Sequence, residues 1–153
     1  MMKIGITNDH AATKLKFDIM DYLTKQGYEV INYGTNDDNS CDYPIEAAKL
    51  CKGFKEDGIE KGIAICGTGV GISIACNKHK GIRACVCSEP ETAKLSREHN
   101  DANVICFGAR IIDLDMAKKI VDTFLNTQFS NGERHIRRIQ EIKDLDDGKD
   151  ILK

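Results

Sequence analysis

Residues 61–73 read Lys61-Gly62-Ile63-Ala64-Ile65-Cys66-Gly67-Thr68-Gly69-Val70-Gly71-Ile72-Ser73. The first six form a short apolar run of the kind that makes a strand covered on both faces. Three alternate glycines, Gly67, Gly69 and Gly71, then lead into a helical stretch, Gly71–Lys78. The same alternation continues on either side. Apolar runs predict strands at Lys3–Thr7, Tyr28–Tyr33, Lys61–Cys66, Arg83–Cys87 and Val104–Phe107. Between and after them, helices are predicted at Thr13–Gln26, Ile45–Asp57, Gly71–Lys78, Pro90–Glu98 and Leu114–Thr127. In the last of these Leu114, Ala117, Ile120, Val121, Phe124 and Leu125 recur at helical spacing, and Pro90 after Ser88-Glu89 suits a helix start. Alternating strands and helices imply an α/β fold. The expectation is a doubly wound, Rossmann-like sheet of five parallel strands with right-handed crossovers, helices on both faces and strand order 2-1-3-4-5.

After Phe129-Ser130-Asn131-Gly132 comes a polar, helical extension from Glu133 to about Leu145, with Ile136, Ile139 and Ile142 on one stripe. That stripe must dock on this subunit or on another. Residues 1–145 are expected to form one domain and 146–153 a frayed tail. The 153 residues are 41% hydrophobic and 30% charged, and 22 Lys and Arg against 24 Asp and Glu leave a net charge of -2. Such a balance lacks the basic footprint of a nucleic-acid binder, and no apolar run approaches the roughly 20 residues of a membrane span. The stretch after Met1-Met2-Lys3 is broken by Asn8-Asp9-His10 and does not resemble a signal peptide. The seven cysteines include no CxxC pair, which argues against a disulfide framework and a structural zinc site. Reduced thiols in a cytoplasmic protein are the expectation.

In open α/β sheets, ligands bind beyond the carboxyl ends of the strands, where strand order reverses. The segments that follow the strands are therefore the first suspects: Asn8-Asp9-His10, Gly67–Gly71, Ser88-Glu89 and Gly108-Ala109-Arg110. The glycine turn is the most informative, because glycine lets main-chain N–H groups face a ligand and a helix N-terminus favours negative charge. A phosphate or a developing enolate oxygen would suit it. The turn lacks both the lysine of a P-loop and the spacing of a dinucleotide fingerprint, and a plain strand-to-helix turn is the structural alternative. Cys66 precedes it, where N–H dipoles would stabilise a thiolate able to act as base or nucleophile; a buried strand-end cysteine is the alternative. The Thr68 hydroxyl could bond a substrate oxygen or merely cap the turn. All six arginines lie in the second half, and Arg134 and Arg138 are one helical turn apart. Two such guanidiniums can grip a phosphate, or can simply line a solvated face.

Taken together, these motifs resemble the type B ribose-5-phosphate isomerases, within the wider family that includes galactose-6-phosphate isomerase subunits. The resemblance runs from about residue 3 to about residue 142. It is carried by Asn8-Asp9-His10-Ala11, Asp42-Tyr43-Pro44, Cys66 through Ser73 with Ala75 and Asn77-Lys78, and Gly81-Ile82-Arg83-Ala84. Its further marks are Arg97-Glu98-His99-Asn100-Asp101-Ala102-Asn103, Gly108-Ala109-Arg110 and Gly132-Glu133-Arg134-His135-Ile136-Arg137-Arg138. Two departures stand out: no glycine follows the Asp9-His10 pair closely, and Ser130–Arg134 is one residue longer than the family pattern.

The resemblance implies interconversion of ribose 5-phosphate and ribulose 5-phosphate through ring opening and a cis-enediolate, with no metal or organic cofactor. Cys66 matches the family's proton-transfer base, His99 its ring-opening acid/base, and the N–H groups of Gly67, Gly69, Val70 and Gly71 its anion hole. Thr68 and Ser73 belong to the same matched segment, the first as a catalytic and the second as a substrate-binding candidate. Asp9 matches a sugar-hydroxyl contact and Asn100 another substrate contact, while His10, Arg110, Arg134 and Arg138 match phosphate-binding positions. His135 and Arg137 carry no assigned role. Some relatives place a glutamate in the helix after the glycine turn, but no carboxylate occurs from Gly67 through Lys80. The chain thus falls in the cysteine branch.

One expectation follows from the element order itself. His99-Asn100 follows the fourth helix and precedes the fifth strand, so it belongs at the amino end of the sheet, whereas Cys66 is at the carboxyl end. A five-residue strand spans roughly 16 Å, too far for both to touch one pentose within a subunit. A homodimer with shared active sites is therefore expected, and pairing of dimers into tetramers stays open. Other readings are an isomerase of galactose 6-phosphate or allose 6-phosphate, and a non-catalytic phosphosugar or nucleotide sensor.

Overall fold

The computed structural model describes residues 2–153. Five parallel strands form one sheet: β1 (Lys3–Asn8), β2 (Glu29–Asn32), β3 (Lys61–Cys66), β4 (Ala84–Val86) and β5 (Val104–Gly108). Six helices accompany them: α1 (Thr13–Lys25), α2 (Tyr43–Glu56), α3 (Val70–Cys76), α4 (Pro90–Asn100), α5 (Leu114–Asn126) and α6 (Glu133–Asp146). The strand order is β2-β1-β3-β5-β4. The doubly wound parallel sheet is as expected, but the last two strands change places relative to the expected 2-1-3-4-5. Burial explains the exchange. All five residues of β5, Val-Ile-Cys-Phe-Gly, are buried, as an interior strand requires, whereas β4 has only three residues and none is buried. A short, partly exposed strand belongs at an edge.

The sheet separates two cores of different texture. On one face Ile4, Ile6, Ile63, Ile65, Ile105 and Phe107 meet α1, α4 and α5 through Ile19, Leu23, Ala93, Ile120 and Phe124. On the other face Ala64, Cys66, Val104 and Cys106 meet α2 and α3 through Ala47, Leu50, Cys51, Ile72 and Cys76. Alternation along each strand produces this split, and the small residues of the second face let α2 and α3 lie close to it. Phe124 is fully buried, so Phe124→Ala should cost about 3–5 kcal/mol in chemical denaturation. A cost under about 1 kcal/mol would show that the first core is looser than described.

Side chains set the helix boundaries. The Glu89 carboxylate accepts from the main-chain N–H groups of Glu91 and Thr92 ahead of Pro90, and Asp113 accepts from Met116 N–H. α6 lies outside both layers and packs on α4. Of its expected apolar stripe only Ile139 is buried; Ile136 and Ile142 remain largely exposed. Asp146, expected in the frayed tail, completes α6 and accepts from Gly81 N–H at 2.8 Å, while Asp147 pairs with Lys80.

Candidate active site

The strand order brings the ends of β1, β3 and β5 side by side, in register at Asn8–Ile65 and Cys66–Gly108. Main-chain bonds tie the following loops together at their roots. Asp9 N–H donates to Ile65 O at 3.1 Å, Ala109 N–H to Cys66 O at 2.9 Å and Arg110 N–H to Gly67 O at 3.0 Å. The loops that carry Asp9, His10, the Cys66 turn and Arg110 are thereby rooted side by side at the carboxyl end of the sheet.

Cys66 is buried and its Sγ accepts the Gly69 N–H at 3.1 Å. Gly69 adopts φ +82, and a Cβ there would stand 2.7 Å from the Phe107 carbonyl carbon, so only glycine both makes this turn and clears β5. The Thr68 Oγ1 accepts Val70 N–H at 3.2 Å, which caps the turn and leaves the hydroxyl proton for another acceptor. The expected anion hole over Gly67–Gly71 is thus narrower, because the N–H groups of Gly69 and Val70 are already used. Those of Gly71 and Ile72, in the first turn of α3, have no acceptor within the helix. Ser73 is committed elsewhere: it is buried and its hydroxyl donates to Val70 O at 2.7 Å.

Two close contacts lock this turn. A Cβ on Gly67 would meet Arg110 Nη1 at 2.9 Å, so the guanidinium lies across Gly67. A Cβ on Gly108 would stand 2.5 Å from the main chain of Thr68. Gly108→Ala must therefore push the Cys66 turn aside. It should lower Tm by about 3–10 °C and turnover about a hundredfold, and turnover near that of the unaltered protein would show that the turn tolerates displacement.

The first and second loops are also set in place. Asp9 Oδ1 accepts Ala11 N–H at 3.0 Å, closing a single helical turn over His10–Ala12. His10 Nδ1 accepts the Cys41 N–H at 3.2 Å, which leaves the ring proton on Nε2 when the imidazole is neutral. The buried Asn8 Oδ1 has no hydrogen-bond donor. The main chain of Gly34 packs on it, since a Cβ there would stand 2.0 Å from that oxygen.

A second group lies at the other end of the sheet. The His99 and His135 rings stack with centroids 4.5 Å apart and planes 11° apart. Desolvation and then the charges of His99, Arg134 and Arg138 push the His135 imidazole below its usual range. Asn103 O accepts Gly62 N–H at 2.8 Å, which fixes the segment after His99-Asn100 at the start of β3. The two groups are therefore separated by the length of that strand, about 16 Å, as the element order predicts.

Two further residues belong to the first group and escaped the sequence reading. The Tyr43 ring packs on Gly71, whose Cβ would come within 2.9 Å of it; its signal was Asp42-Tyr43-Pro44 at a helix start. Cys41 acts through its main chain, for which no residue-type signal exists.

The family profile described as ribose/galactose isomerase matches residues 4–142. The chain belongs to the ribose/galactose isomerase family. Ribose-5-phosphate isomerase B of Escherichia coli is 48% identical over 142 residues, 93% of this chain and 95% of that protein. The solved structure of ribose-5-phosphate isomerase B from Clostridium thermocellum superposes with a TM-score of 0.93 at 48% identity, covering 96% of this chain and 99% of that one. The D-erythrulose-4-phosphate isomerase of Pectobacterium atrosepticum is 38% identical over 133 residues, 86% of this chain and 88% of that protein. Hydrogen bonding among Cys51, Cys76 and Cys106, together with burial, holds Cys51 and Cys76 far above the ordinary thiol range. No helix is long and apolar enough to cross a membrane among the described residues.

Proposed function

We propose that this protein is an aldose-ketose isomerase that interconverts D-ribose 5-phosphate and D-ribulose 5-phosphate, with each active site built from two copies of the chain. The observation that carries the reading is the Cys66 sulfur held by Gly69 N–H at the mouth of a turn whose next N–H groups, Gly71 and Ile72, point out of the helix. A base beside an anion hole is what proton transfer next to a carbonyl needs.

In this mechanism His99 of the second copy moves the proton that opens the furanose, exposing the C1 aldehyde. The Cys66 thiolate takes the C2 proton, and the enediolate charge falls on oxygens facing the Gly71 and Ile72 N–H groups. The Thr68 hydroxyl carries a proton from O2 toward O1, and the Cys66 thiol returns its proton to C1. Asp9 and Asn100 hold sugar hydroxyls. His10 and Arg110 from one copy and Arg134 and Arg138 from the other hold the phosphate. The exposed Val70, Val86 and Ile111 beside the turn supply apolar surface for such a pairing. A cytoplasmic site of action suits seven cysteines that are all unpaired.

Incubation with ribose 5-phosphate in deuterated water tests the reaction: ribulose 5-phosphate should accumulate and carry deuterium at C1. Binding without exchange would instead identify a sugar-phosphate sensor. Side-by-side assays of four-, five- and six-carbon phosphates decide chain length; the 48% identity to the Escherichia coli pentose enzyme, against 38% to the erythrulose-4-phosphate enzyme, favours the pentose. Arg134→Ala and Arg138→Ala should each raise KM by about tenfold or more with a smaller change in kcat, as loss of a charged hydrogen bond predicts. An unchanged KM would remove that arginine from the phosphate set.

A further inference from the structure

Arg83 and Asp101 sit at the amino end of the sheet, and neither has a part in the reaction described above. Asp101 ends α4 in the left-handed region at φ +45, a conformation that costs free energy for a residue with a Cβ. Its carboxylate is held from two sides. Oδ1 accepts from Arg97 Nη1 at 2.8 Å and Oδ2 from Arg83 Nη2 at 3.4 Å. Arg83 Nε–H also donates to the main-chain carbonyls of Asn100, at 3.2 Å, and Asp101, at 3.0 Å. A helix leaves the carbonyls of its last turn without partners, and here Arg83, just ahead of β4, supplies a donor to that of Asn100 and to the capping residue Asp101. The Arg83 main chain is itself fixed, its N–H donating to Asn103 Oδ1 at 2.8 Å. The Arg83 side chain is 16% exposed and that of Asp101 36%, so the clamp is partly screened from water. Arg97 plays a different part, donating to Thr127 O and Ala102 O over the Phe124 ring, and is a core residue.

The clamped turn is the one that carries His99 and Asn100. We propose that Arg83 and Asp101 are positioning residues for ring opening: together they fix the end of α4 so that His99 and Asn100 present a fixed geometry to the sugar of the partner's site. This rests on the isomerase reading of the same site. Side chains that act in proton transfer need placement to within a fraction of an ångström, and an exposed helix end frays unless tied down.

The chemistry of the two substrates offers a clean test. Ribose 5-phosphate is cyclic and must open before C2 can be deprotonated. Ribulose 5-phosphate has its O5 phosphorylated and cannot close a furanose, so deuterium uptake at its C1 needs Cys66 and the anion hole but no ring opening. Arg83→Lys keeps the charge but cannot span two carbonyls and a carboxylate. Asp101→Gly keeps the left-handed turn without strain while removing the carboxylate, so it guards against loss of the fold. In both variants kcat for ribose 5-phosphate should fall about tenfold or more, while C1 exchange at saturating ribulose 5-phosphate stays within about twofold. Two unchanged rates, or two rates that fall together, would overturn the positioning role. Absence of C1 exchange in the unaltered protein would sink the isomerase reading instead, and is read before either variant.

Discussion

Mixing the inactive Cys66→Ala and His99→Ala proteins, with time for subunits to exchange, should restore about a quarter of the unaltered activity. Random pairing makes half the dimers mixed. In each mixed dimer one site draws both alanine substitutions together and is dead, while the other draws Cys66 from one chain and His99 from the other and is intact. The basis is the strand-length separation between the Cys66 turn and the stacked His99–His135 pair. A mixture no more active than its components would place the whole site in one chain. Equal loss of activity in both single variants is a precondition, checked on each protein alone.

Cys66→Ala by itself should lower isomerisation about ten-thousandfold, the upper range for removing a proton-transfer group, and abolish C1 exchange with it. Sugar-phosphate affinity should change by no more than about threefold, because the groups proposed to hold the phosphate lie on other loops and on α6. Cys66→Ser should recover little, since a hydroxyl at the same place is a far weaker acid than a thiol. Calorimetry with ribose 5-phosphate alongside turnover separates the outcomes. Residual turnover within a hundredfold of the unaltered protein would assign the base elsewhere.

Much of this architecture is legible from local pattern alone. Strands and helices fall where runs and caps put them, since Glu89-Pro90, Asp113 and the three glycines act on their own neighbourhood. The exchange of β4 and β5 was not legible, because strand order depends on which run can be covered on both faces; the three residues of Ala84–Val86 against the fully buried Val104–Gly108 supply that answer only in three dimensions. Asp9, His10, Cys66 and Arg110 could be singled out as site candidates because they follow strand ends, where topology places ligand sites. Ser73 lies in the same segment, but its place on α3 turns the hydroxyl proton back onto Val70 O, which the sequence does not reveal. The narrowing of the anion hole has the same origin, since no residue type reveals that Gly69 N–H is taken by a sulfur. Tyr43 reaches Gly71 from a helix whose approach to the sheet depends on the small residues of the second core.

The bond from the Cys41 amide to His10 Nδ1 has an evolutionary corollary. An imidazole tautomer chosen by a peptide group makes no demand on the identity of the residue that owns the peptide, proline excepted. The amide bond survives a change of residue at position 41, where the Cys41 sulfur adds only a long 3.9 Å approach to the same nitrogen, whereas adding or deleting one residue between Asn32 and Cys41 would offer His10 the wrong amide. Descendants of this chain should keep the loop's length and its Gly34, which has no room for a Cβ beside Asn8, while the residue at position 41 changes.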